Sequence, residues 1–151
     1  MNRYYSNAAD VERIGLGLFD RSLPKAEWTH AAHFAATLWL LRHRTDPRLE
    51  RDLPPLIRAY NEATGVANTD SEGYHETITQ ASIAAARAFL SLHPANRPLH
   101  EIVDLLMTSA LGKPDWLLAY WTRPRLFSVE ARRAWIDPDL RPLPKFPHLG
   151  Q

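Results

Sequence analysis

A chain of 151 residues with 45% hydrophobic and 23% charged side chains has the composition of a folded domain, long enough to bury one sizeable core. Eighteen basic against seventeen acidic residues leave a net charge of +1, and no arginine cluster with interleaved aromatics is present, so no nucleic-acid partner is expected. The lack of cysteine excludes disulfides, thiolate metal sites and cysteine nucleophiles, and suits a cytoplasmic setting.

The first six residues carry no apolar run of the kind a signal peptide needs. The longest apolar stretch, Phe34 to Leu41, is far short of the ~20 residues that span a bilayer, so no membrane partner is expected.

Asn7 and Asp10 offer caps for a first helix over 8–21, with Val11, Ile14 and Leu18, and more loosely Leu16 and Phe19, on its apolar side. Gly15 and Gly17 weaken it, at about 1 kcal/mol each relative to Ala, so packing must hold it. A second helix runs to Arg44 and starts either after Ser22, with Pro24 in its first turn, or at Thr29 as N-cap. Thr45-Asp46-Pro47 stops it. A third covers 52–64, with Asp52 as cap, Pro54 and Pro55 in the first turn and Gly65 as its end.

Thr69-Asp70-Ser71-Glu72 has the form of a capping box and predicts a fourth helix over 70–92. Its inward face would hold Tyr74, Ile78, Ala81, Ala85, Phe89 and Leu92. Further helices are expected over 98–111, 115–120 and, after Ser128 as cap, 129–136. The tail, 137–151, carries four of the twelve prolines and reads as extended, with Leu140, Leu143 and Phe146 laid on the bundle. No segment alternates with period two. The expected fold is a single all-α domain, an irregular bundle of four main helices with shorter ones and a proline-rich tail.

Seven histidines are many for this length. Trp28-Thr29-His30-Ala31-Ala32-His33 opens the second helix, and Glu72-Gly73-Tyr74-His75-Glu76 opens the expected fourth. His30 and His33, three apart, share a helix face. Imidazoles with a carboxylate and an open position make a catalytic zinc or non-haem iron centre. Helical bundles build such centres from facing helices. The pairs Glu27/His30 and Glu72/His75 also repeat the E-x-x-H spacing of di-iron bundles, for which Glu12 and Glu62 are the further carboxylates to hand.

The metal reading therefore nominates His30, His33, His75 and Glu72 as ligands of one divalent ion (Zn, Fe, Mn or Ni). Glu76 is its general base for hydrolytic or lyase chemistry. Against it, His30, His33, Thr37 and Arg44 form the only polar stripe of the second helix, which is either a buried seam or the solvent face. Glu76 falls with Gln80 and Arg87 on the side away from the core, where a carboxylate suits the helix dipole. His75 can equally be a core histidine hydrogen-bonded to tyrosine or backbone. The alternative function is a non-catalytic module. In it Tyr60, Tyr74 and several tryptophans line an apolar pocket for a small-molecule ligand or a protein partner, with the histidines as hydrogen-bond partners.

The polar segment Gly65 to Gly73 has the composition of a site loop, with Tyr60 and Asn61 just before it. His43, His93, His100 and His148 read as surface or helix-end residues.

The segments Trp28-Thr29-His30-Ala31-Ala32-His33 and Gly73-Tyr74-His75-Glu76-Thr77, together with Pro138-Asp139-Leu140-Arg141-Pro142-Leu143-Pro144, resemble an uncharacterised family of small bacterial proteins over most of the chain. That resemblance implies no activity. The Trp-Thr opening of the second helix is also faintly similar to DinB-like metal-binding helical bundles, in which such a segment opens a helix bearing a ligand histidine. The position implied for that ligand is Ala36 here, a departure from the pattern.

Overall fold

The computed structural model describes residues 4–43 and 48–144. Among these it contains seven helices and no strand: α1 Ala8–Asp20, α2 His30–His43, α3 Leu49–Ala63, α4 Glu76–Ser91, α5 Leu99–Thr108, α6 Arg123–Leu126 and α7 Val129–Arg133. Turns of 3-10 helix lie at Lys25–Glu27, Ala110–Gly112 and Trp116–Ala119. The architecture is the all-α irregular bundle that the helical periodicity predicts. None of the described helices is long and apolar enough to cross a membrane. Arg44, Thr45–Pro47, Phe146 and His148 lie outside the described residues.

The bundle is built around α2. Eight of its fourteen residues are buried, Ala31, Ala32, Phe34 and Leu38 among them. A helix that is apolar nearly all round belongs in the middle of a core, and α2 packs against α1, α4 and α5. Glycine admits the first of these neighbours. A Cβ on Gly15 would stand 2.5 Å from Cε3 of Trp39, so the two helices approach across a bare backbone. The buried apolar side chains form one continuous cluster, with Trp121, Tyr60, Ile14 and Leu38 among its largest members. Each such side chain contributes about 1.5–3 kcal/mol on burial.

Helix ends follow local chemistry. Asn7 caps α1 by accepting from the Asp10 amide. Pro24 opens the first 3-10 turn, and Thr29 Oγ1 then accepts from the Ala32 amide at 3.2 Å to start α2. Both expected starts of the second helix are thus used, one for each element.

Helix α3 begins earlier than expected, which puts Asp52, Pro54 and Pro55 inside it. Pro54 has no N–H for the Glu50 carbonyl one turn back. Gln80 of α4 donates to that carbonyl instead, at 2.8 Å. Gly65, at φ 84°, ends α3 in a Schellman turn, with the Val66 amide on the Asn61 carbonyl and the Gly65 amide on that of Glu62.

The largest correction concerns α4, which starts at Glu76 and not near residue 70. Thr69 does accept from the Ser71 and Glu72 amides, but it closes a turn. Gly73, at φ 82°, then turns the chain away from helix. A Cβ there would lie 2.2 Å from the Ala67 carbonyl oxygen, so only glycine fits. Leu92, expected to face inward, is 58% exposed just past the end of α4.

Helix α5 is shorter than expected, stopping at Thr108 before the 3-10 turn that ends in Gly112. The segment expected to be helical over 115–120 forms only a 3-10 turn, and α6 has no counterpart among the expected helices. Helix α7 stops at Arg133 because Ala134 and Ile136 bond to Thr77: its hydroxyl donates to the Ala134 carbonyl at 2.9 Å and accepts from the Ile136 amide at 3.2 Å. The tail is non-helical over 137–144, as its prolines predict. Leu143 packs on the core, whereas the Leu140 side chain is exposed.

Candidate functional site

The Trp-Thr-His segment lies where α2 begins. Trp28 stacks on His33, rings 3.9 Å apart and 26° from parallel, and its other neighbour is Tyr60 at 5.2 Å. Tyr60 is buried and donates its hydroxyl proton to the Leu23 carbonyl at 2.8 Å. His30 stands edge-on to Phe34 and places Nε2 2.8 Å from the Leu111 carbonyl oxygen. A carbonyl only accepts, so His30 carries a proton on Nε2.

His75 occupies the N-cap of α4 in extended geometry, φ −135° and ψ 110°. Its Nδ1 accepts from the Ile78 amide at 3.1 Å, and its Nε2 donates to the Leu126 carbonyl at 2.7 Å. Both ring nitrogens are therefore committed and the tautomer is fixed. Burial holds its pKa below the usual imidazole value, with Arg132 adding to the effect. Beside it, Tyr74 donates to Glu76 Oε1 at 2.5 Å, and Glu76 Oε2 accepts from Gln80 at 3.1 Å. Burial, reinforced by the bond to Glu76, raises the Tyr74 pKa, while Arg58 lies 4.5 Å over its ring.

The loop between α3 and α4 is organised by Asn68. Its Oδ1 accepts from Asn61 Nδ2 at 3.0 Å and from the Tyr74 amide at 2.9 Å. Arg133 grips the same loop through a two-point pair with Asp70, at 2.6 and 2.8 Å.

These segments enclose a hollow of about 520 Å³. Helices α2, α3 and α4 supply much of its wall, and the 114–127 segment covers it. Phe34, Leu53, Ile57, Ile78, Trp116 and Leu117 make most of the surface apolar. His33 stands in this wall. The residue keeps accessible surface, and it borders the hollow. That position pushes its pKa down to about 4, through loss of hydration and the nearby His30. The ring is therefore neutral at pH 7. No described residue makes a hydrogen bond to the His33 side chain.

Of the expected ligands, His30, His33 and His75 all border the hollow, so the polar stripe of α2 points inward. Glu72 does not join them: it is exposed on the loop. Glu76 is tied to Tyr74 and Gln80. His75 has no lone pair to give. Among the described residues, no three histidines, aspartates or glutamates are gathered so as to hold a metal ion, and the nominated set does not fit a divalent centre. Nor does the E-x-x-H spacing gather carboxylates, since Glu27 pairs with Arg13 at 2.7 Å and Glu62 accepts from Asn68.

Asn61, Val66 and Gly73 line the hollow, in keeping with a site loop after α3. Ser82, Asp115, Arg123 and Phe127 also border it and were not foreseen. Only Ser82 had an available signal, since it follows Ile78 at helical spacing. Asp115, Arg123 and Phe127 come from short turns whose placement depends on tertiary contacts. Of the remaining histidines, His43 is exposed beside Trp39 and His93 packs against Phe89. His100 has a buried Nδ1 without a partner among the described residues. No family model, curated protein or solved structure matches this chain.

Proposed function

We propose that the protein binds a small, largely apolar organic molecule in this hollow, with His33 as a neutral hydrogen-bonding group. The observation that carries the proposal is an imidazole stacked on Trp28 and facing about 520 Å³ of mostly apolar space, with no hydrogen-bond partner among the described residues. Ligand cavities are of this size and kind, apolar with a few placed polar groups. A histidine whose pKa lies near 4 is a poor proton acceptor at neutral pH but a good hydrogen-bond donor and acceptor. This favours binding over proton transfer. The full commitment of His75, and of Glu76 to Tyr74 and Gln80, favours it over a metal-centred reaction.

Titrating phenol and indole into the protein, followed by NMR of the His33 ring nitrogens and the Trp28 indole, tests the reading. Saturable shifts at both residues are expected. They are weakened in Ser82→Phe, which puts a phenyl ring into the hollow. Absence of shifts, or shifts undiminished in Ser82→Phe, would reject the cavity as the binding site.

A further inference from the structure

We propose that the natural ligand is an amphipathic carboxylic acid, its apolar body in the hollow and its carboxylate on Arg123. This rests on the small-molecule reading above and specifies its head group. Among the described residues most arginines are occupied, and the two others without an ion pair or a side-chain bond to backbone, Arg21 and Arg58, do not border the hollow. Arg13, Arg87 and Arg133 pair with Glu27, Glu50 and Asp70, and Arg125, Arg132 and Arg141 donate to backbone carbonyls. Arg123 does neither. Among the described residues its guanidinium meets only the ring of Phe127, 5.7 Å away, and both residues border the hollow. A planar cation held against an aromatic face at the edge of an apolar cavity presents its remaining donors to a planar anion, and a carboxylate matches them two-for-two.

The other polar groups of the wall limit the charge. His33 is uncharged at neutral pH and adds no second cation. Asp115 brings a negative charge to the same wall, with no ion pair to Arg123 among the described residues. A dianion such as a phosphate ester would meet one cation and one repelling carboxylate, whereas a monoanion needs only Arg123. The competing head group is an ammonium ion on Asp115.

Three probes sharing one body separate these cases: 4-phenylbutyrate, 4-phenylbutan-1-ol and 4-phenylbutylamine, titrated calorimetrically into the full chain near neutral pH. The carboxylate is expected to bind about tenfold more tightly than the alcohol, the gain of one charge-assisted contact. Arg123→Gln should abolish that preference and leave the affinity for the alcohol unchanged. Arg123 is exposed, so the variant is expected to keep the parental Tm, and Arg123→Lys should recover part of the preference. Equal affinities, a preference for the amine, or a preference that survives Arg123→Gln would overturn the carboxylate proposal and leave cavity binding standing. Binding of none of the three would overturn both.

Discussion

His75 is held in one protonation state by geometry. Its Nδ1 must be bare to accept from the Ile78 amide, and its Nε2 must be protonated to donate to Leu126. An imidazolium would lose the first bond, which is the N-cap of α4. Truncation to alanine removes the cap, worth about 1 kcal/mol. It also leaves the Leu126 carbonyl without this partner, at about 1–3 kcal/mol. A total loss of about 2–4 kcal/mol is expected for His75→Ala, and clearly less for His75→Asn, which retains a capping oxygen. The sign of the pH dependence follows from the lowered folded-state pKa. Between that value and about 6.5 the unfolded chain binds a proton that the folded chain does not, so stability rises with pH through this window. The contribution is complete above pH ~6.5 and is lost on acidification, with a limiting slope of about 1.4 kcal/mol per pH unit. Urea melts at pH 7, 6 and 5 should show this loss in the parent chain and a smaller one in His75→Asn. An equal slope in both would remove His75 from the account and leave the low pKa of His33 as its source.

At the scale of elements, the contact of α1 with α2 turns on Gly15. Alanine is the better helix former by about 1 kcal/mol. Yet its methyl group would press on the Trp39 ring at 2.5 Å, and overpacking of this kind costs about 1–3 kcal/mol. Gly15→Ala should therefore lower stability despite the gain in propensity. In a double-mutant cycle with Trp39→Leu the same change should become neutral or stabilising. Failure of the second substitution to rescue the first would place the strain elsewhere. Elements of this kind were legible in the sequence because caps and stops are local: Asn7, Thr29, Gly65 and Ser128 all act where they stand. The start of α4 was not, because Thr69 forms a genuine local cap that closes a turn, and only the conformation of Gly73 shows that helix does not follow. The site was half legible. Its histidines stand out by type and spacing. The direction of the His30/His33 stripe did not, since α2 is buried nearly all round and offers no amphipathic contrast. The partners of His30 and His75 are the carbonyls of Leu111 and Leu126, and a backbone acceptor leaves no mark in a sequence.

Across the whole molecule those two bonds explain the placement of the hollow's cover. The 110–127 segment consists of 3-10 turns and the four-residue α6, too little helix to hold itself. From one side His30 and His75 pin its two ends. From the other the tail straps it. The Ile136 carbonyl accepts from the Trp121 indole at 3.1 Å, and the Leu140 amide donates to the Tyr120 carbonyl at 2.9 Å. Asp139 accepts from both the amide and the hydroxyl of Thr122 at 2.7 Å, which also holds its carboxyl below the usual range. Because Asp139 is exposed while Trp121 beneath it is fully buried, the carboxylate acts on the order of the cover more than on the core. Asp139→Ala should leave the Tm nearly unchanged while the Trp121 indole and the Thr122 and Leu140 amides exchange severalfold faster, a local opening without global unfolding. If the hollow binds ligand only when covered, 4-phenylbutan-1-ol affinity should fall by the same factor, since apparent affinity scales with the population of the closed form. Unchanged exchange would mean that the two histidines hold the cover alone. Faster exchange with unchanged affinity would mean that ligand enters beneath a cover whose order it does not need.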